Sequence, residues 1–314
     1  LFEYLVRRVL YVIPTLIGVT FLVFVSVRLI PGDPAVAIAG EHATPQLIEE
    51  VRRELGLDEP ILAQYGRYLA GLMRADLGRS VRTNLPVLHE IGRRLPHTLL
   101  LAAVSLAIAG LVGIGLGVVS ASRPYSLVDN LSMVGALMGV SIPVFWLGLM
   151  MMLLMSVELP RRLGLSGPIL PPTGAGTWKH LVMPSLTLGA YSTAMIARMT
   201  RSAMLDIIGQ DYIRTARAKG LRERAVIYGH ALRNAWIPVL TVLGLQFGAL
   251  MGGAVLTETV FAWPGIGKYL VDAIFTRDYP VVQGAVLTIA VGFIVINLVV
   301  DMLYAVIDPR IRYG

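Results

Sequence analysis

Asp206-Ile-Ile-Gly-Gln-Asp211-Tyr-Ile-Arg214-Thr-Ala-Arg217-Ala-Lys-Gly220 runs on through Leu221-Arg-Glu-Arg-Ala-Val-Ile-Tyr-Gly229 to His230-Ala-Leu232-Arg-Asn-Ala-Trp-Ile-Pro238. This is the longest polar interruption in the second half of a chain that is 55% hydrophobic. Apolar runs flank it, so it is too short for a domain and too patterned for a tether. Its basic residues are Arg214, Arg217, Lys219, Arg222, Arg224 and Arg233, against Asp206, Asp211 and Glu223. Asp211 is suited to cap a helix start and Gly220 to stop that helix. Leu221 to Arg233 is helix-compatible as well, with Val226, Ile227 and His230 at turn spacing. The pattern predicts two short helices joined at Gly220 and lying on a membrane face. Charge alone describes an ordinary positive cytoplasmic loop equally well.

Composition supports the membrane setting. The chain has 314 residues, only 15% of them charged, which points away from an ordinary soluble domain and toward a polytopic membrane protein. A net charge of +7 raises nucleic acid as a partner, but the basic residues cluster at span boundaries, where anionic lipid and topology account for them. No cysteine is present, which excludes disulfide, thiol and iron–sulfur chemistry. His42, His89, His97, His180 and His230 are scattered, without a metal-ligand pair at helical spacing. Gly265-Ile-Gly267-Lys268 fails as a phosphate loop: Ala262 stands where the first glycine belongs and Tyr269 follows the lysine. Nothing here reads as a catalyst, a metal site or a cofactor site.

The apolar runs predict six spans. Val9 to Ile30 is long enough to cross a bilayer at about 20 residues per helix, and too long for a cleaved signal core of about 7–15. Pro31-Gly-Asp-Pro34 ends it. Residues 31–96 form a mixed-charge segment, with amphipathic helices expected after Thr44-Pro45 and over Ile61 to Leu72. Leu99 to Ser120 follows, with Gly110, Gly113 and Gly117 placed for close helix approach. Leu131 to Val157 comes next, broken near Ser141-Ile-Pro143. Residues 158–180 read as an irregular loop. Leu181 to Met204, Ala235 to Leu256 and Val286 to Val306 complete the set. Arg198 and Arg201 sit at the inner end of the fourth span, where they are expected to snorkel. Gly244, Gly248 and Gly252 predict a tight contact on the fifth. Asn297 and Asp301 share a face of the sixth, the acid expected to pair with a basic group near the inner end. Polar residues within or beside spans that could line a pathway are Ser141, Thr187, Ser192 and Gln246. An interhelical hydrogen bond is the competing reading of Gln246.

Charge sets the orientation. With the N-terminus inside, the inner segments hold Arg7, Arg8, Arg123, the basic residues of 206–234, Arg310 and Arg312. The short outer loops hold Arg161, Arg162, Lys179, Lys268 and Arg277. The excess is inside, with both termini cytoplasmic.

The 206–238 stretch resembles the cytoplasmic coupling loop of ABC-importer permeases, which reads Glu-Ala-Ala, three residues, Gly, nine residues, Ile-x-Leu-Pro. Arg214-Thr215-Ala216 stands at the Glu-Ala-Ala position and Gly220 follows at the right spacing; His230-x-Leu232-Arg233 replaces Ile-x-Leu-Pro. These departures resemble the dipeptide/oligopeptide/nickel permease subfamily, as do Ile13-Pro14-Thr15, Pro31-Gly-Asp-Pro34 and the segment from Glu258 to Lys268 with Arg277-Asp-Tyr-Pro280. The resemblance covers nearly the whole chain. It implies an all-α polytopic membrane protein of six transmembrane helices with the type I importer fold. It divides the chain into a first helix within 1–30, an extracytoplasmic loop region 31–96, and a permease core 97–314 holding the loop 206–234. Asp211, Arg214, Thr215, Ala216, Arg217, Gly220, Arg222, His230, Leu232 and Arg233 become the ATPase-coupling residues. Implied partners are a homologous second permease, two ATPase subunits that bind ATP and magnesium, and an extracytoplasmic substrate-binding protein, all at a bacterial or archaeal cytoplasmic membrane. Peptides, among them dipeptides, oligopeptides and glutathione, are the implied cargo, with nickel or another small solute as the alternative. Two other classes have different signatures. A stand-alone secondary transporter or channel calls for an inverted repeat and midspan charges, neither of which is evident. An intramembrane protease calls for a histidine partner near Ser141 or Ser192, and no span supplies one.

Overall fold

The computed structural model describes residues 2–29, 34–39, 43–54 and 56–307. The readings of Pro31-Gly32-Asp33 and of the tail with Arg310 and Arg312 lie outside the described residues, as do the side chains of Arg7, Arg8 and Asp301. The described residues form helices α1 (Phe2–Leu29), α2 (Pro34–Ala39), α3 (Pro45–Glu54), α4 (Ile61–Met73), α5 (Val87–Ser122) and α6 (Leu127–Ser141). They continue with α7 (Val144–Met152), α8 (Leu159–Arg162), α9 (Trp178–Ile208), α10 (Asp211–Ala218), α11 (Arg233–Val260), α12 (Ile266–Phe275) and α13 (Tyr279–Ile307). A π-helical stretch, Leu153–Glu158, joins α7 to α8, and a second, Ala225–Leu232, leads into α11.

The expected all-helical, multi-span architecture is what forms. Among the described residues four helical stretches are long and apolar enough to cross a membrane, Val87–Ser122, Val144–Arg162, Ala225–Val260 and Tyr279–Val300, and α9, which holds the predicted fourth span, is not one of them. Leu10–Ser26 and Leu127–Ser141 are shorter apolar helices. The predicted third span is broken where its proline stands. Ile142 and Pro143 are extended, with ψ of 124° and 132°, because the ring removes a donor and disfavours helix in the residue before it. The predicted second short helix after Gly220 is not separate. It is the beginning of the continuous 225–260 helix.

Two compact units partition the chain. Of the described residues, one holds those within Leu99–Trp263 and 295–307; the other holds those within Phe2–Thr98 and Pro264–Ile294. In the first unit α9 is the central helix, packed on α6, α7 and α11. It also meets α5 backbone to backbone. A Cβ added at Gly117 would lie 2.7 Å from the Ala197 carbonyl oxygen, and one at Gly113 2.8 Å from that of Thr193. Glycine admits this approach where any side chain would force the helices apart. Gly110 faces Leu243 of α11 instead. Gly244 packs on Val300, while Gly252 opens onto free space, so the expected four-residue glycine contact is not made along its full length.

In the second unit α4 packs on α1 through an aromatic cluster. Tyr65 meets Phe21 and Phe24 edge-on at 5.5 and 5.2 Å, and its hydroxyl donates to the Ile17 carbonyl at 3.1 Å. A separate core joins the start of α5 to α12 and α13 through Val87, Ile91, Ile266, Leu270, Ala273 and Val282. Asp278 is buried beside it. Its carboxylate accepts from the Ser80 hydroxyl at 2.5 Å and from the backbone N–H groups of Val81 and Arg82 at 3.2 and 3.4 Å. The Ile266 N–H, an orphan donor at the start of α12, is taken up by the Thr98 hydroxyl at 2.9 Å.

Candidate functional site

The end of α9, the short α10 and the beginning of the 225–260 helix fold as one knot. Gln210, extended at ψ 150°, precedes α10, and Asp211 is its first residue. Asp211 is therefore not the expected cap. Its carboxylate sits in the first turn, where the helix dipole favours an anion, and lies 3.5 Å from Arg214. The helix stops at Gly220 as the sequence predicts. Gly220 takes φ +78°, its N–H donates to the Arg217 carbonyl at 2.9 Å, and the Leu221 N–H donates to that of Ala216 at 3.4 Å. This paired 5→2 and 6→1 closure needs a left-handed residue, and glycine enters that region without strain.

α10 has two faces. Ile213 and Ala216 turn inward onto Val118 and Ala121 of α5, Ala203 and Met204 of α9, and Val226, Ile227, Ala231 and Ala235 of the following helix. Asp211, Arg214, Thr215, Arg217, Lys219 and Gly220 are exposed, and so are Arg222, Arg224, His230 and Arg233. Ala216 thus belongs to the core, and Leu232 is half-buried. Burial of the i, i+3 pair Ile213/Ala216 fixes which face of a two-turn helix looks outward. Two polar ties brace the knot. Arg217 holds Glu223 bidentately across the Gly220 turn, at 2.8 and 3.2 Å. Asn234 donates to the Tyr212 hydroxyl at 3.0 Å. The guanidinium holds the Glu223 carboxyl below the ordinary carboxylate range, and the carboxylate pushes Arg217 up in turn. Among the described residues Lys219, Arg222, Arg224 and Arg233 form no ion pair. What this arrangement can do is mechanical: it is a basic shelf keyed into three long helices.

The four polar span residues are not gathered at one point. Ser141 is exposed beside the Pro143 break, its hydroxyl turned back to the Leu137 carbonyl at 2.9 Å. Thr187 is buried against the Met151 sulfur at 3.3 Å. Ser192 and Gln246 are both buried and share a 2.9 Å hydrogen bond between α9 and α11. Among the described residues no group of three or more histidines and carboxylates is placed to hold a metal ion.

One pair was missed. Arg201 does not snorkel freely; it grips Asp129 at 2.6 and 2.7 Å, and Asp129 is 2% exposed. Asp129 also accepts from the Tyr125 N–H at 2.9 Å, while its own N–H donates to the Ser126 cap of α6. The Ser126-x-x-Asp129 spacing signals a helix start, but nothing local in the sequence points to a partner 72 residues away. Next to this clamp lies a cleft of about 360 Å³ between α6 and α9.

Comparison with known proteins completes the description. Residues 113–313 match the model of the family described as binding-protein-dependent transport system inner membrane component, and residues 1–102 match that family's N-terminal model. The dipeptide transport system permease protein DppB of Alkalihalophilus pseudofirmus is 48% identical over 330 residues, covering 99% of each chain. The glutathione transport system permease protein GsiC is 48% identical in Pectobacterium atrosepticum and 46% in Escherichia coli K12, again over 99% of each chain. Among solved structures, the MetNI methionine ABC transporter in an inward-facing conformation is similar with a TM-score of 0.56 at 21% identity. That match covers 69% of this chain and 96% of the other.

Proposed function

The chain belongs to the inner membrane components of binding-protein-dependent transport systems, and from that premise we propose that it is one half of the translocation pathway of an ATP-driven importer for short peptides. It is a permease subunit, and ATP hydrolysis belongs to a partner chain. The dipeptide and glutathione cargo in the names of its relatives supports a peptide substrate. Six spans with both termini cytoplasmic fit the charge distribution: a first helix within 1–30, an extracytoplasmic region 31–96 and a core 97–314. The complex consists of this chain, a homologous permease, two ATPase subunits carrying ATP and magnesium, and an extracytoplasmic binding protein. Ser141, Thr187, Ser192 and Gln246 remain the candidates for polar positions along or behind the pathway.

Residues 211–233 couple the ATPase to the helices. The observation that carries this reading is the two-faced α10. Its Arg214, Thr215 and Arg217 side is free for a partner, while Ile213 and Ala216 are locked among α5, α9 and the start of α11. A push on the outer face is transmitted to three span ends at once, because a packed core moves as a body rather than deforming. Gly220 holds the angle between α10 and the next helix, and Arg222, His230, Leu232 and Arg233 extend the contact along it.

The test is purification of the complex in gentle detergent from native membranes, followed by reconstitution with the binding protein. Wild type is expected to retain a second permease and the ATPase subunits and to take up peptide with ATP. Gly220→Pro, or the double reversal Arg217→Glu with Arg222→Glu, is expected to leave the subunits associated and hydrolysing ATP while uptake stops. Normal coupled uptake in both variants, or a wild-type chain that purifies folded and alone, refutes the assignment.

A further inference from the structure

We propose that the cleft between α6 and α9 binds one anionic phospholipid, with its phosphate on Arg198 and an acyl chain along the α6 wall. The inference rests on the inward placement of the α9 C-terminal half in the function proposed above. The cleft is lined by Met133, Leu137 and Val140 of α6 and by Ala194, Arg198 and Arg201 of α9. Its charges do not balance. Arg201 is committed to Asp129 through two hydrogen bonds, so that pair is neutral. Arg198 is exposed, and among the described residues its side chain reaches only the Met195 sulfur of its own helix, at 2.8 Å. One net positive charge is left over. An uncompensated guanidinium on a span is costly and calls for an anion, and its planar fork suits a phosphate.

The cleft is also polar at one end and apolar at the other. α6 and α9 run in opposite senses past it, so Met133 lies toward the Arg201 end and Val140 toward Ala194. The α6 wall from Met133 to Val140 spans about 10 Å of helix rise. At the Val140 end of this wall the helices close: a Cβ on Gly139 would stand 3.3 Å from the Ala190 carbonyl oxygen. Arg198 lies six residues before the inner end of the predicted fourth span at Met204, about 9 Å along the axis, which brings a long basic side chain near the headgroup layer. Basic pockets between spans on the cytoplasmic side take anionic headgroups in this way. A free phosphate or a peptide carboxylate satisfies Arg198 but leaves the Leu137 and Val140 wall bare; a phospholipid satisfies both.

The experiment uses the assembled transporter in nanodiscs of phosphatidylcholine with a minority of phosphatidylglycerol. The motionally restricted fraction of spin-labelled phosphatidylglycerol is compared with that of spin-labelled phosphatidylcholine. Wild type is expected to prefer the anionic label. Arg198→Gln should lower that preference about fivefold, the worth of one basic residue near an anionic surface, while Arg198→Lys keeps most of it. Leu137→Trp fills the apolar wall and should release the label although Arg198 is intact. An unchanged preference in Arg198→Gln overturns the proposal. Displacement of the label by glycerol phosphate, or by dipeptide cargo, overturns the lipid as occupant. Subunit recovery and peptide uptake are read on the same samples. Loss of those in wild type with the lipid preference intact would defeat the coupling reading and leave the cleft standing.

Discussion

Around α10 the charges lie outside an apolar core, whereas around Asp278 a carboxylate lies inside one. The exposed face of the first region is set by nearby residues: Ile213, Ala216, Val226 and Ile227 turn inward onto α5 and α9, and the basic side chains face out from their spacing. The second is built from segments almost 200 residues apart, with Ser80 brought onto Asp278. The first keeps its charges in water. The second uses a charge to fasten a loop, and an ion taken out of water is tolerable only because each carboxylate oxygen finds a donor. An exposed charged face and a buried charged joint thus differ in whether water or the protein itself solvates the charge.

The strongest way to break that contrast is Asp278→Ala. Removing the acceptor strands the Ser80 hydroxyl and two backbone N–H groups, with an expected loss of about 3 kcal/mol. Limited proteolysis should then cut within 78–86, and the thermal transition should fall; an unshifted transition would mean that the buried carboxylate is not the fastening. Next comes Gly220→Ala. A Cβ there meets nothing within 4 Å, so the cost is conformational strain alone, about 1 kcal/mol. Hydrogen exchange should quicken in 211–221 without a global change.

The Arg217–Glu223 bridge is smaller still, because both partners are well exposed, and a double-mutant cycle with Arg217→Gln and Glu223→Gln should return about 0.5 kcal/mol. Its pH dependence has a definite sign. The folded carboxyl titrates below its unfolded value, so the contribution is complete above the ordinary glutamate range. It is lost as pH falls through the depressed value. Repeating the cycle in acid should bring it to zero. The smallest effect is expected from Tyr269→Phe. The Arg94 guanidinium stacks 4.1 Å from this ring and burial pushes the hydroxyl up to about 12, yet the hydroxyl has no hydrogen-bond partner. Phenylalanine keeps the stacking, so stability should change by less than about 0.5 kcal/mol. A large loss would reveal an unseen partner for the hydroxyl.

What could be read in advance follows the same division. The α10 stop at Gly220 and the break at Pro143 are local chemistry, and both stand where the residues put them. The apolar runs are local too, and they predict the long helices. The Arg201–Asp129 clamp, the Ser192–Gln246 bond and the Asp278 joint are not local, and each needs the fold before its second partner is known. The polar residues 221–234 misled in a different manner. Their charges suggested a separate surface helix, but Val226, Ile227 and Ala231 bury one side and carry the chain straight into α11. Asp211 misled because a residue fit to cap is equally at home one position later, in the first turn.

The backbone contact between α5 and α9 bears on how the protein is made. Gly117 must meet Thr200, which is 83 residues further along the chain (200 − 117). At about 5–20 residues per second, the ribosome delivers that partner roughly 4–17 s after the glycines have left it. Throughout that interval the glycine face of α5 is without the partner it packs on in the folded chain. A bulky side chain at Gly113 or Gly117 would do no harm to insertion itself. It would act only when α9 arrives, leaving a fully inserted, correctly oriented chain that cannot close, and membrane quality control would meet the defect late.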